Sequence, residues 1–287
     1  MSHSSDPVAQ IPVNDPEIEQ AAVRARKTFR YFWRELAWER RRIIPGLDVA
    51  AVKGYFTDPP PKGSVETAPL EGEHMWLMNV DFDGQEISGV LINSPRSLQS
   101  LSEGDQVTIR GKQLMDWLYV QAGQVCGGFS VDVVRSRMSA GERKRHDSAW
   151  GFDFGDVGIV DLVPPSYLGE PERKRGGILS AFKKPKATPQ DYGKVAQIEH
   201  PMSINMRDSL DAQLSQQPEF LTETDEHGFT LLHQLCLAGS FEGVDVCLKH
   251  GADPARPSAG GLTPLHLAKC LGWTRVVKRL EQAGAGR

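Results

Sequence analysis

Two neighbouring residues, His146 and Asp147, form the pair in this chain that comes nearest to a metal-hydrolase motif. They supply a nitrogen and a carboxylate ligand, but a hydrolytic metal site needs further ligands from other helices. The additional candidates are His74, Asp81, Asp153 and Asp156. No spacing brings them together, so the sequence predicts no metal site, no catalytic residue and no cofactor. The alternative, a metal-dependent hydrolase with its metal at His74 or His146, stays open.

Cys126, which precedes Gly127 and Gly128, is a second candidate because a thiolate is a strong nucleophile. No motif ties a histidine or an aspartate to it, and a cysteine in an apolar strand usually belongs to the core. The chain also lacks the glycine-rich loops that bind the phosphates of nucleotides. These residues favour a binding protein over an enzyme.

Carboxylates outnumber cations in the stretch from Asp58 to Glu86. An acidic surface can complement a basic site on a partner and speed association with it. Two predicted hairpin tips, one at Glu226 and His227 and one at Ala259 and Gly260, are a second candidate surface. The predicted partner-binding residues are Glu66, Glu71, Glu73, Asp81, Asp83, Glu86, Glu226 and His227.

A repeat of 33 residues positions the second of these surfaces. The matches are Gly228/Gly261, Thr230/Thr263, Leu232/Leu265, His233/His266, Gly239/Gly272, Val244/Val277, Gly251/Gly284 and Ala252/Ala285. Each copy predicts two short helices, the second copy starting with Thr263 as cap and Pro264 at the first helical position. The glycines suit the tight turns and the left-handed helix ends.

The repeats resemble ankyrin repeats in their G-x-T-P-L-H and V-x-x-L-x-x-G-A patterns. The resemblance implies that His233 and His266 form local hydrogen bonds and bind no metal, and that the unit binds another protein. Met206–Leu221 is interpreted as a degenerate first repeat or cap. Because stable arrays need about three repeats, we expect this unit to pack against the N-terminal part of the chain.

The N-terminal region begins with a long helix, capped by Asp15 with Pro16 at its first position. Apolar residues recur at steps of three and four, which predicts one buried face. Arginines and glutamates occupy the other faces, and a solvated surface is favoured over nucleic-acid binding. Nucleic acid is therefore not an expected partner.

Strand patterns follow this helix. They lie at Leu47–Phe56, Met75–Phe82, Glu86–Ile92, Gln106–Arg110, Trp117–Val120 and Val125–Phe129. Asp83-Gly84 is a strong hairpin signal. Successive hairpins predict an antiparallel sheet covered by the long helix, which is an α+β fold. Ser139 and Glu142 form a capping box that opens a short helix.

Several motifs in residues 16–158 resemble the YegJ-like bacterial domain of unknown function. The motifs are Arg41–Asp48 (RRIIPGLD), Glu73–Trp76 (EHMW), Phe82–Gly84 (FDG), Asp116-Trp117, Gly127–Phe129 (GGF), Arg135–Met138 (RSRM) and His146–Asp156 (HDSAWGFDFGD). The resemblance implies a fold without an assigned reaction. This domain followed by ankyrin repeats is an arrangement similar to that of immunity proteins of bacterial type VI secretion, which implies a cognate toxin as partner.

Composition and segment boundaries complete the prediction. The chain has 287 residues and a net charge of −4. No stretch has the length and hydropathy of a signal peptide or a membrane span, which favours the cytoplasm and no membrane partner. The predicted segments are a disordered N-terminus (1–14), a YegJ-like domain (15–159), a Pro/Gly/basic linker (160–203) and an ankyrin unit (204–287).

Overall fold

The computed structural model describes residues 15–60, 72–170 and 189–285. They form two compact units. The first, the sheet unit, takes the chain up to Thr28 together with Pro45–Val195. The second, the helical unit, takes Phe29–Ile44 together with Ala196–Arg287. Among the described residues, no helix is both long enough and apolar enough to cross a membrane.

Helix α1 (Pro16–Glu39) contributes to both units. Its start follows from the sequence, because an Asp15 carboxylate oxygen accepts the backbone N–H of Glu17 at 3.0 Å. In the sheet unit, α1 lies against the strands, where the indole N–H of Trp117 donates to the carbonyl of Ala25 at 3.0 Å. The predicted cap and the buried helix face are confirmed for this half.

The sheet unit contains one antiparallel sheet. Its strands are β1 (Leu47–Thr57), β2 (Gly72–Phe82), β3 (Glu86–Leu91), β4 (Gln106–Arg110), β5 (Leu114–Gln121) and β6 (Gln124–Gly127). They are arranged in the order β4-β3-β2-β1-β5-β6. The Asp83-Gly84 turn joins β2 to β3 as predicted, with Gly84 at a φ of 93°. The α+β class is therefore confirmed.

The end of β6 differs from the sequence-based prediction of one strand over Val125–Phe129. β6 ends at Gly127, and Phe129 starts helix α2 (Phe129–Ser136). Gly127 and Gly128 reverse the chain with φ angles of 79° and 78°, a conformation that favours glycine. A side chain at Gly127 would also collide with the backbone and ring of Trp117.

Helix α3 (Ala140–Trp150) begins at the predicted capping box of Ser139 and Glu142. Phe154, which follows it, joins an apolar cluster against the sheet. The chain then stays in the unit, because Leu162 and Val163 are fully buried. These two residues belong to the predicted linker 160–203, so its first residues are core residues rather than a solvated tether. Residues 171–188 of that linker lie outside the described part of the chain.

The helical unit consists of short helices in pairs. After α4 (Tyr192–Val195), which ends the sheet unit, come α5 (Pro201–Gln216), α6 (Leu231–Leu237), α7 (Phe241–Lys249), α8 (Pro264–Cys270) and α9 (Thr274–Gln282). Gly239 and Gly272 turn the chain within each pair, with φ angles of 69° and 70°. Helix α5 packs against α7, and its Leu214 is buried, as expected for a degenerate preceding repeat.

The second half of α1 is buried on all sides within the helical unit. The sequence predicts solvated arginines and glutamates on its polar faces, and this is wrong for Arg34 and Glu35, which are 2% and 1% exposed. Arg34 donates to the carbonyl of Ile198 at 2.9 Å, and Glu35 accepts from His200 at 3.3 Å. Partners from the helical unit therefore hold both of these side chains.

Candidate functional site

Three buried polar residues of the sheet unit form a cluster, and only one of them, Asp116, belongs to a sequence motif described above. The ammonium of Lys53 on β1 donates to the hydroxyl of Ser130 at 2.9 Å, and that hydroxyl donates to a carboxylate oxygen of Asp116 at 2.6 Å. The Lys53 ammonium also lies 4.7 Å from the centre of the Trp76 ring. A serine beside a lysine can act as nucleophile and base in hydrolases.

Burial decides against that chemistry in this conformation. Ser130 is 1% exposed and Asp116 is fully buried, so a substrate has no access to the hydroxyl. Burial lowers the pKa of Lys53 and raises that of Asp116, and the attraction between the two opposes both shifts. Asp116 also accepts the backbone N–H groups of Phe129 and Ser130, at 3.0 and 2.7 Å. The cluster therefore fixes the start of α2 on strand β5.

The His146-Asp147 pair belongs to a second packed cluster. The guanidinium of Arg135 on α2 holds both carboxylate oxygens of Asp147 at 2.9 Å. The Nδ1 atom of His146 lies 2.9 Å from the same carboxylate. The His146 ring packs against the rings of Trp150 and Phe154. These contacts give the RSRM and HDSAWGFDF motifs a structural role in joining α2 to α3.

His74 lies apart from both clusters, at the start of β2. Its ring meets the ring of Tyr55 edge-on, with centroids 5.1 Å apart. Its Nδ1 atom is buried without a hydrogen-bond partner. Burial, followed by the charge of Lys53, lowers the pKa of His74 to about 4. His74 also lines a cavity of the sheet unit.

This depressed pKa predicts acid sensitivity of the sheet unit. In the unfolded chain a histidine titrates near pH 6.5, so the unfolded state binds a proton between about pH 6.5 and 4 that the folded state does not. The contribution of His74 to stability is therefore present above pH 6.5 and is lost as pH falls through 4. We expect His74→Gln to flatten the fall with pH of the urea midpoint of the sheet unit, read from hydrogen exchange of β1 and β2 amides. The exposed-tip variant His227→Gln is the control, and an equal change in both would refute the assignment.

The hairpin that precedes α6 carries the first of the predicted repeat tips. Asp225 organises it by accepting the backbone N–H groups of His227 and Phe229, at 3.0 and 2.9 Å. Glu226 at its end has a side chain that is 85% exposed, whereas that of His227 is 36% exposed. Residues 218–227 contain four carboxylates and no lysine or arginine, so the tip is acidic.

The histidines of the two repeats have the predicted local role. The Nδ1 atom of His233 accepts the backbone N–H of Thr230 at 3.2 Å, and His266 accepts that of Thr263 at 3.3 Å. Each threonine and its histidine close a capping box at the start of a helix. These side chains order the hairpins that carry the tips.

The second half of α1 packs along the repeat helices. Arg30 donates to the carbonyl of Gly272, in the turn between α8 and α9, at 2.9 Å. The Tyr31 ring meets the Trp273 ring edge-on at 6.1 Å, and Arg41 donates to the side chain of Gln234 at 2.9 Å. This half of α1 therefore extends from the α8–α9 turn to Gln234, whose side-chain amide donates to Asp225 of the hairpin at 2.8 Å.

Comparisons with known protein families identify an N-terminal domain and C-terminal repeats in this chain. Residues 15–154 match the family of uncharacterized proteins conserved in bacteria, DUF2314, and residues 221–268 match ankyrin repeats. An ankyrin repeat protein of Neisseria meningitidis serogroup B is 39% identical over 267 residues, covering 93% of this chain and 94% of that protein. The chain belongs to this family of DUF2314–ankyrin proteins.

Two further relatives match 60 residues each. The uncharacterized protein YegJ of Escherichia coli is 28% identical over 60 residues, which are 21% of this chain and 39% of that protein. Human protein phosphatase 1 regulatory subunit 27 is 37% identical over another match of 60 residues with the same coverage. The ankyrin repeats indicate protein–protein interaction as the role of this DUF2314–ankyrin chain.

The acidic residues predicted as partner contacts in the DUF2314 domain have intramolecular roles. Glu73 accepts the backbone N–H groups of Arg96 and Leu98 at 2.9 and 3.2 Å, and hydrogen bonds to this loop help to lower its pKa to about 2. Asp83 caps its own turn, and Glu86 pairs with Arg110 at 3.0 Å.

Of three further acidic candidates in this domain, the structure describes one. Asp81 lies on β2 opposite Ser88 of β3 and is half-buried. Glu66 and Glu71 lie outside the described residues. Within the described part of each unit taken alone, no three His, Cys, Asp or Glu side chains bring ligand atoms within 4.8 Å of one another. Cys126 is buried in β6, as expected for a core cysteine.

Proposed function

We propose that this DUF2314–ankyrin chain is a non-catalytic immunity protein that binds a secreted bacterial toxin in the cytoplasm and neutralises it by occlusion. The observation that carries the proposal is the exposed acidic tip of the first ankyrin hairpin, residues 218–227. This tip is held rigid by Asp225 and projects from a repeat that generally binds proteins. A rigid, charged tip loses little conformational entropy when it docks.

The charge of the tip favours a basic partner. Glu223 and Glu226 are exposed, and residues 218–227 contain no lysine or arginine. A nuclease must attract phosphate and therefore carries a basic active site, which an acidic tip can enter and block. Complementary charge also raises the rate of association, which an immunity protein needs when a toxin arrives. A nuclease toxin is thus the partner class that fits this surface.

The contacts of the other candidate residues support a binding role over hydrolysis. Asp147 is held by Arg135, and the Lys53–Ser130 pair is buried. Glu73, Asp83 and Glu86 already have partners within the sheet unit. A toxin would have to compete with those contacts to use them, whereas the Glu226 side chain is 85% exposed. The proposed interface therefore centres on the hairpin tip.

Reversing the charge of the tip tests this proposal. We expect Glu223→Lys combined with Glu226→Lys to slow association with the toxin encoded beside the gene by about tenfold at low ionic strength. The measurement is the association rate by surface plasmon resonance at two salt concentrations. Screening by salt should shrink the difference between the variant and the parent chain.

The control carries the same charge change on helices of the same unit, away from the hairpin. Asp208 on α5 and Glu281 on α9 are both exposed, and Asp208→Lys with Glu281→Lys should leave the association rate within about twofold. Equal slowing in both double variants would remove the tip as the interface. Failure of the parent chain to bind or inhibit the neighbouring toxin would remove the immunity role.

A further inference from the structure

A cavity of about 420 Å³ opens in the sheet unit beside His74. Its lining comes from α1, from strands β1, β2 and β5, and from the short turn before β5. The lining residues are Glu19, Arg26, Tyr55, His74, Lys112, Gln113 and Met115. The volume is within the range of roughly 300–1,000 Å³ that is usual for small-molecule sites.

The wall of the cavity is partly aromatic and apolar. Tyr55 and His74 are directly opposite each other on β1 and β2, and Met115 adds a flexible apolar side chain. The buried Nδ1 atom of His74 has no hydrogen-bond partner. A buried polar atom without a partner costs free energy, which a bound molecule or water can recover. The imidazole of His74 therefore lines the cavity together with the Tyr55 ring and the Met115 side chain, beside polar and charged residues of the same wall.

Positive charge dominates the surroundings of the cavity. Lys112 lies at its mouth, exposed and without an ion-pair partner among the described residues. Arg26 is held by Glu19 at 2.7 Å and by the carbonyl of Leu114 at 3.1 Å. Lys53 lies one residue pair further along the same strand face, since Lys53 pairs with Trp76 and Tyr55 with His74. Glu19 pairs with Arg26, and Asp116 compensates Lys53 through Ser130, so the net positive charge of this region comes from Lys112.

We infer that this cavity binds a small organic acid, with an apolar body against Tyr55 and Met115 and a carboxylate near Lys112 and Arg26. This site is separate from the hairpin tip, and it gives the DUF2314 domain a ligand-binding role of its own.

Phenylacetate and its neutral analogue phenylacetamide are suitable probes, because they differ in charge and share an aromatic body. We expect phenylacetate to shift the methyl resonance of Met115 in the ¹³C-methionine spectrum of the full chain, with saturation in the millimolar range or below. The resonance is assigned with Met115→Leu. Phenylacetamide should bind at least about threefold more weakly, since it lacks the ionic attraction.

Two surface variants with the same charge change keep the test independent of folding. We expect Lys112→Gln to weaken phenylacetate binding about threefold and Lys144→Gln, on the exposed side of α3, to leave it unchanged. Absence of a saturable shift, equal affinity for acid and amide, or equal effects of the two variants would overturn the inference. No toxin takes part in this experiment, so its outcome is independent of the proposed immunity role.

Discussion

Asp116→Ala is expected to lower the free energy of unfolding of the sheet unit by about 3–5 kcal/mol, because it leaves a buried cation unpaired. In the parent chain the Asp116 carboxylate receives the Ser130 hydroxyl and, through it, the ammonium of Lys53. It also accepts the first backbone N–H groups of α2. Alanine has no side-chain acceptor, so the Ser130 hydroxyl and both N–H groups lose their hydrogen-bond partner.

The unit in which the loss occurs can be identified by hydrogen exchange. Two units need not unfold in one step, so a single unfolding midpoint would mix them. We expect faster exchange for amides of β1, β5 and α2 in urea, and unchanged exchange for α6–α9. Unchanged exchange in β1 and β5 would contradict the structural role of Asp116.

A second substitution separates the effect of the Lys53 charge on stability from the effect of its side-chain shape. Lys53→Met removes the buried ammonium and keeps an unbranched side chain of similar length. We expect Lys53→Met to recover part of the loss in the Asp116→Ala background, so that the two changes are not additive by about 1–3 kcal/mol. Strict additivity would mean that Lys53 and Asp116 do not stabilise each other.

Local sequence patterns were sufficient to predict the helices and turns whose ends depend on neighbouring residues. The Asp15 cap, the Asp83-Gly84 turn and the Ser139 capping box all lie where their residue types predict them. The 33-residue repeat fixes the helix pairs, because each threonine–histidine cap depends only on residues three apart. Such hydrogen bonds are made within one turn of chain, so their pattern is visible without the fold.

Features that depend on tertiary contacts could not be predicted from local sequence patterns. Helix α2 starts at Phe129 because Asp116, from another strand, accepts its first N–H groups, and no local residue serves as its side-chain cap. Arg34 and Glu35 continue a pattern that is typical of a solvated helix face, yet they are buried in the helical unit. The unpartnered Nδ1 of His74 likewise results from the pairing of β1 with β2.

The same limit applies to the candidate site. The tip residues Glu226 and His227 follow from the repeat alone, because the hairpin position is fixed by its register. The carboxylates of Glu73 and Asp83 looked equally available in the sequence, but backbone N–H groups satisfy them in the fold. Whether a carboxylate is free for a partner depends on such contacts, and composition cannot reveal them.

Trp273→Ala is expected to destabilise the helical unit by about 3–5 kcal/mol, enough to unfold it at physiological temperature. Trp273 is 6% exposed, and its indole N–H donates to the carbonyl of Leu237 at 3.2 Å. Tyr31 meets its ring edge-on, and the guanidinium of Arg34 lies 5.7 Å from the ring centre. One side chain therefore joins the second half of α1 to both helix pairs.

The size of this effect follows from the shortness of the array. Two repeats and one degenerate helix bury little apolar surface, and arrays of this length depend on their caps. The second half of α1 acts as such a cap, and Trp273 is the main aromatic contact that it makes with the repeats. Gly239 has no side chain, which leaves room for the Trp273 ring.

Trp273→Phe provides the matched control, since it keeps a ring and removes the indole N–H. We expect a loss of about 1–2 kcal/mol for this variant, the value of one buried hydrogen bond and a little packing. Hydrogen exchange of α6–α9 should quicken strongly in Trp273→Ala and mildly in Trp273→Phe, while β1 and β5 stay protected. Toxin binding should fall in the same order, because the acidic tip keeps its shape only when the repeats are folded. An alanine variant with protected repeats would show that α1 is dispensable to them.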